Sequence, residues 1–211
     1  MVYPMEKLAL IPICKLWIRK IAGLEYIPKD IPFIVAANHS SYFDIFIPGC
    51  ILIPILNKRM HAWVNGNYWK NPVVAKILNH WQCMPVVSNN KKKNNLAFEN
   101  AVSYLKEREI MMIFPEGHRS ADGKLQKAYA GTARLALKAK LPVLPIGIID
   151  SNKVLPKGKT FPRFKRCEVK IGKLIYFDKY YNKNFNEKNL GQATRRIMKE
   201  IAKLIGQEYD Y

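Results

Sequence analysis

Short apolar runs, punctuated by segments of helical spacing, constrain this chain more than any other feature. The runs are FIVAA (33–37), MHAWV (60–64), CMPVV (83–87), IMMIF (110–114), VLPIGII (143–149) and CEVKIGKLIYF (167–177). Several carry apolar residues at consecutive positions rather than at alternate ones. A strand that is apolar on both faces is covered on both faces. Between the runs lie helical patterns. Near 95–108, Phe98, Ala101, Val102 and Leu105 share a face, and near 188–206, Leu190, Ala193, Ile197, Ile201 and Leu204 do the same. The expectation is an α/β fold, with a mostly parallel central sheet flanked by helices. A chain of 211 residues that is 49% hydrophobic builds one domain with a full core.

The N-terminal segment, residues 1–22, reads separately from the domain over 23–211. Over 5–22, Leu10, Ile13, Cys14, Trp17 and Ile21 follow helical spacing, with Lys15 and Arg19 off that face and Pro12 kinking or starting the helix. Two readings stand: a helix packed on its own core, or an interfacial helix with its apolar face in lipid. The longest apolar run, IFIPGCILIPIL over 45–56, has 12 residues, short of a membrane span. If the protein meets a membrane, it lies on the surface. The run itself either lines an apolar groove or is ordinary core. SNNKKKNN (88–95) reads as a solvated loop. Cys14, Cys50, Cys83 and Cys167 form no C-x-x-C pair and read as reduced core thiols, which suits a cytosolic setting.

In a sheet of this type, sites sit beyond the carboxyl ends of the strands. Two of those ends hold the densest polar chemistry of the sequence. After 33–37 comes NHSSYFD, and after 110–114 comes PEGHRS. An imidazole suits a general base, because its unperturbed pKa lies near neutrality, and His39 can serve as one provided that an acceptor orients its ring. Asp44, five positions on, reaches it if Ser40 or Ser41 caps a helical turn between them. No G-x-S-x-G elbow and no cysteine in a nucleophile setting are present, so the base would activate the substrate's own hydroxyl. In the second segment Gly117 allows a tight turn, and Arg119 offers a planar fork of donors that matches a phosphate. Its alternative is a surface turn with a Glu–Arg pair.

Together NHSSYFD and FPEGHRS resemble the paired signatures, N-H-x-x-x-x-D and F-P-E-G-T-R-S, of the glycerolipid acyltransferases, the 1-acyl-sn-glycerol-3-phosphate acyltransferase (lysophosphatidic acid acyltransferase) group. LPVLPIGI (141–148) is similar to the family's fourth block, and KAYAGTARLAL (127–137) to the helix after its third. The resemblance implies that His39, oriented by Asp44, deprotonates the free hydroxyl of 1-acyl-glycerol-3-phosphate. That oxygen then attacks the thioester of acyl-CoA or acyl-carrier protein, giving phosphatidic acid. It also makes Asn38, Glu116, Gly117, Arg119 and Ser120 the substrate-binding candidates, with Arg119 on the acceptor phosphate and Asn38 at the oxyanion. It calls for no metal and no cofactor, because a thioester is already activated.

Two departures bear on the acceptor. His118 stands where the third block has threonine, and Val87-Ser88 stand where the second block has an arginine. Phosphate binding then falls to Arg119, helped by one of Lys91, Lys92 or Lys93 unless that run is only a solvated loop. Glycerol 3-phosphate, another lysophospholipid or an amino-lipid stays open as the alternative acceptor. The net charge of +19 implies anionic company. An anionic membrane surface on the cytoplasmic side accounts for it. A nucleic-acid-binding protein is the rival class, but the basic residues are dispersed and no helix-turn-helix, zinc, RNP or KH signature is present, so no nucleic acid is expected.

Overall fold

Seven strands join into one sheet in the computed structural model, which describes residues 2–88, 90–156, 158–159, 161–181 and 186–211. They are β1 (Ile18–Ala22), β2 (Ile34–Ala37), β3 (Met60–Asn65), β4 (Met84–Val86), β5 (Ile110–Ile113), β6 (Val143–Ile149) and β7 (Cys167–Ile171), in the order β1-β7-β6-β2-β5-β3-β4. Every neighbouring pair is parallel except β6 and β7. The central strands β2 and β5 are buried at every position, as their unbroken apolar runs require.

The helices are α1 (Ile11–Lys15, entered through the π-type turn Glu6–Leu10), α2 (Ile47–Leu56), α3 (Pro72–His80), α4 (Lys91–Lys106), α5 (Gly131–Ala139), α6 (Ser151–Val154), α7 (Asp178–Tyr181) and α8 (Glu187–Ile205). One core lies where Ala101 and Leu105 of α4, Leu135 of α5 and Ile197 and Ile201 of α8 meet Ile34, Met111 and Val143. The second, on the other face, joins Cys14 of α1 and Cys50 and Leu52 of α2 to Val35, Met112 and Val169. The α/β expectation holds. So does the reading of the cysteines as free thiols, three of them buried.

Three elements differ from expectation. The helix expected over 5–22 ends at Lys15, and Ile18–Ala22 instead form β1. The helical spacing of Trp17 and Ile21 is outweighed by a ladder to β7, in which Ile18 faces Cys167 and Ile21 faces Val169. Gly23, at φ +83°, turns the chain out of β1, where a Cβ would overlap the carbonyl oxygen of Ile171. The lysines expected in a loop are the first turn of α4. Asn90 caps that turn by accepting from the N–H of Lys93 at 3.0 Å, while Asn89 lies outside the described residues. The strand expected over 167–177 ends at Ile171, and Ile175 makes only a single bridge to Val143.

Candidate active site

Strands β2 and β5 are parallel neighbours, so the polar segments that follow them emerge side by side. After β2 the backbone is extended at Ser41 and then folds into the short 3-10 turn Tyr42–Ile45. Ser41 caps that turn, its Oγ accepting from the N–H of Phe43 at 3.1 Å. The turn carries Asp44 back over the chain. Its Oδ2 accepts from the N–H groups of Ser40 and Ser41, both at 2.7 Å, and lies 2.9 Å from Nδ1 of His39. A carboxylate only accepts, so His39 carries its proton on Nδ1 and leaves Nε2 with a free lone pair. The imidazole lies flat on Phe114, with ring centroids 4.0 Å apart, which fixes its plane. It borders a cleft of about 1300 Å³.

The segment after β5 holds the backbone of His39 from both sides. The N–H of His39 donates to Oε1 of Glu116 at 2.8 Å, and the N–H of Ser120 donates to its carbonyl at 2.8 Å. Oε2 of Glu116 accepts from the N–H of Gln126, also at 2.8 Å. Only 1% of Glu116 is exposed. That burial pushes its carboxyl up to about 7, with the charge of Asp44 adding to the rise and the two backbone donors opposing it. Gly117, at φ +69°, makes the turn, and a Cβ there would press on the ring of Tyr129.

Arg119 enters the cleft from the same turn. Its guanidinium carbon stands 3.3 Å above the ring of Tyr42, and its Nη1 is buried without a hydrogen-bond partner. A fork held by stacking, with a donor unspent, is shaped for an anionic ligand.

Of the seven residues singled out in the sequence, His39, Gly117 and Arg119 border the cleft, and Asp44 stands behind His39. Asn38, Glu116 and Ser120 do not reach it. Each is buried and spends its polar atoms on the protein. Asn38 donates to the carbonyl of Ile148 at 2.8 Å and accepts from its N–H at 2.7 Å, extending the β2–β6 pairing by one peptide-like step. Ser120 Oγ donates to Asp122 at 2.8 Å. These three build the wall rather than face a ligand. Lys91, Lys92 and Lys93 are exposed on α4 and do not border the cleft, whereas Arg134 and Lys138 of α5 do. Arg134 lies within KAYAGTARLAL and Lys138 directly follows that stretch, so the two stand one helical turn apart on one face.

The cleft is apolar along α2: Ile45 and Phe46 just before the helix and Gly49, Cys50 and Ile53 on one face of it border the cleft, as do Tyr3, Leu10 and Ile11 near the N-terminal helix. The run over 45–56 is thus both groove and core, because Ile47, Ile51 and Leu52 on its other faces are buried.

The chain matches the acyltransferase family over residues 18–149. The chloroplastic 1-acyl-sn-glycerol-3-phosphate acyltransferase BAT2 of Brassica napus is 26% identical over 139 residues, which cover 65% of this chain and 39% of that protein. The 1-acyl-sn-glycerol-3-phosphate acyltransferase of Bacillus subtilis is 26% identical over 143 residues, 66% of this chain and 68% of its own length. The chain therefore spans about two fifths of the plant protein and about two thirds of the bacterial one. The crystal structure of the 1-acyl-sn-glycerophosphate acyltransferase PlsC from Thermotoga maritima shares the fold, with a TM-score of 0.65 and 23% identity over 95% of this chain and 82% of that one.

Proposed function

The chain belongs to the acyltransferase family, and we propose that it moves a fatty acyl group from a thioester donor, acyl-CoA or acyl-carrier protein, to the free hydroxyl of 1-acyl-glycerol-3-phosphate. The product is phosphatidic acid. The observation that carries this reading is the 2.9 Å contact between His39 Nδ1 and Asp44 Oδ2 at the head of an apolar cleft.

The chemistry runs through His39. Its Nε2 takes the hydroxyl proton as the acceptor oxygen attacks the thioester carbonyl carbon. Asp44 holds the Nδ1–H and stabilises the imidazolium that forms. The tetrahedral intermediate then collapses with cleavage of the C–S bond. The leaving sulfur recovers the proton from Nε2, and the base is regenerated. Arg119 takes the acceptor phosphate through its unpartnered Nη1. The acyl chain lies along α2 in the apolar part of the cleft. No metal or cofactor enters these steps.

Related 1-acyl-sn-glycerol-3-phosphate acyltransferases bear the acceptor in their names, which supports this choice of acceptor. A second reading, a different acceptor such as glycerol 3-phosphate, another lysophospholipid or an amino-lipid, has one observation behind it. Val87 and Ser88, where a second-block arginine would stand, border the cleft without charge.

Among the described residues no helix is long and apolar enough to cross a membrane. With a net charge of +19, the protein acts as a peripheral or monotopic enzyme on the anionic cytoplasmic face of a membrane, its N-terminal helix lying in the interface.

The test is a panel of donors against acceptors, with products identified by mass spectrometry and His39→Ala as control. Phosphatidic acid formed by the wild type and abolished in the variant is expected. Preferred acylation of an acceptor without a phosphate monoester would overturn the acceptor, and full activity of His39→Ala would overturn the base.

A further inference from the structure

The segment between β6 and β7 carries the most exposed aromatic side chains among the described residues. Phe161 is 81% exposed and Phe164 fully exposed, with Pro162 and Arg163 between them. Lys159, Arg163, Lys165 and Arg166 around them are exposed as well. From Ser151 to Cys167 the sequence has no acidic residue. The ion pairs nearby use Arg19 and Lys153 with Asp150 and Glu168, and none of these four cations pairs with a described residue.

The described backbone at Leu155 and Arg163 is anchored. The N–H of Arg163 donates to the carbonyl of Val154 at 2.7 Å, and the carbonyl of Arg163 accepts from Trp17 Nε1 at 3.0 Å. The carbonyl of Leu155, at its start, accepts from Ser41 Oγ at 2.8 Å. Two phenylalanines in water beside an anchored backbone gain nothing for the fold, and an apolar medium is the partner that such side chains lack.

The sheet fixes where the segment stands. Strand β7 runs antiparallel to β6, so its first residue lies beside the end of β6, and β6 is parallel to β2. The segment that leads into β7 is therefore at the edge of the sheet where His39 follows β2. Strand β1 runs parallel to β7, with Ile18 facing Cys167, so the helical segment that leads into β1 arrives at the same edge. Its outward face is apolar too, with Met5, Leu8, Ile13 and Leu16 exposed at helical spacing, Leu8 to 78%.

We propose that Lys159 and residues 161–166 form a second interfacial anchor, which inserts Phe161 and Phe164 into an anionic lipid bilayer alongside the N-terminal helix and sets the His39 edge of the sheet against the membrane. This rests on the membrane-surface part of the proposed function. The aromatic pair supplies apolar insertion, and the four flanking cations meet anionic headgroups. An acidic protein such as a carrier protein would match the cations, but it would leave two projecting phenylalanines without a bilayer's depth of apolar medium. The acceptor and the product are lipids, so an enzyme seated by this edge exchanges both without passing them through water.

Co-sedimentation with vesicles tests the anchor. The full chain, Phe161→Ser/Phe164→Ser, and Lys159→Gln/Lys165→Gln/Arg166→Gln are compared on vesicles of phosphatidylglycerol with phosphatidylcholine and of phosphatidylcholine alone. The wild type is expected to bind the anionic vesicles, and each variant to lose about tenfold or more in partitioning. Acyl transfer between water-soluble short-chain substrates, without vesicles, is expected to be unchanged, which also shows that the variants fold. Wild-type binding by either variant, or equal wild-type binding to neutral vesicles, would overturn the anchor. So would variants that lose affinity for acyl-carrier protein and keep it for vesicles. A wild type that binds vesicles but transfers no acyl group would instead overturn the proposed reaction and leave the anchor standing.

Discussion

The backbone N–H of His39 and the carboxylate of Glu116 meet at 2.8 Å, 77 residues apart in sequence. The contact joins the ends of two adjacent parallel strands. Through its other oxygen, Glu116 also holds Gln126, so one buried side chain pins the loop of His39 to the loop of Arg119.

Glu116→Gln replaces one acceptor by a donor, so one of the two backbone N–H groups then faces an NH2 and stays unsatisfied. Loosening the peptide of His39 is expected to lower kcat by about tenfold or more. Acceptor KM should stay within about twofold, because the side chain does not reach the cleft. Steady-state kinetics separates the two constants. A large rise in KM with kcat intact would make Glu116 a ligand contact.

The same residue sets a pH dependence of stability. Its carboxyl is raised from 4.5 to about 7, chiefly by burial. Between those values the native state holds a proton that the unfolded chain has released. Its contribution is full below the unfolded pKa and is lost as pH rises through the window, by at most about 1.4 kcal/mol per pH unit. Buried His61 acts with the opposite sign. Its pKa is lowered, chiefly by burial, so its contribution is lost as pH falls below the ordinary histidine value. The quantity to measure is therefore the difference in urea unfolding free energy between wild type and Glu116→Gln, in which His61 cancels. It should fall as pH rises across the window and then level off. A difference that is flat with pH would mean that the carboxyl is not perturbed.

Asp44→Asn tests the orienting group. Asp44 Oδ2 accepts from two backbone donors and faces the imidazole, and an Asn there loses the charge and can turn its NH2 toward these three partners. If its NH2 faces His39, the ring is held in the wrong tautomer, with Nε2 protonated. A fall in kcat of about 10²–10⁴-fold is expected, with a partial loss of stability read from Tm. Activity within a few-fold of wild type would remove Asp44 from the mechanism.

Much of this site was legible because its signals are local. The strands β2 and β5 are unbroken apolar runs, and the polar segments after them stand out against that background. His39 and Asp44 are five residues apart, within reach of a single turn. The placements that were missed depend on long-range partners. Asn38 is bonded to Ile148, 110 residues on, and no pattern around Asn38 distinguishes that from a donor aimed at a substrate. Strand β1 exists because β7 lies beside it, and its Arg19 and Lys20 break any apolar run. The lysines of α4 looked like loop because the Asn90 cap that starts the helix sits among other polar residues.

Arg119→Ala removes the stacked guanidinium and its unpartnered donor together. Acceptor KM is expected to rise about tenfold to a hundredfold, with a smaller change in kcat. Arg119→Lys keeps the charge but not the fork, and should fall between the two. An acceptor that lacks the phosphate, such as a monoacylglycerol, is the control, since its already poor use should not respond to either change. Equal sensitivity of both acceptors would show that Arg119 supports the loop rather than the phosphate.

Helix α2 gives the acyl-chain reading a graded test. Gly49 and Ile53 both border the cleft, one turn apart, and Ile53 stands about 6 Å farther along the helix from Asp44. At Gly49 an added Cβ already approaches Met60 Cε at 3.1 Å, so a bulky side chain there must fill the groove. Gly49→Phe should therefore restrict the enzyme to shorter acyl donors than Ile53→Trp does, and both to shorter donors than the wild type accepts. The measurement is kcat/KM over donors of increasing chain length, with Tm to confirm that both variants fold. Overpacking of this kind costs about 1–3 kcal/mol, which lowers Tm without selecting among donors. If both variants reduce activity by the same factor at every donor length, the acyl chain does not lie along α2.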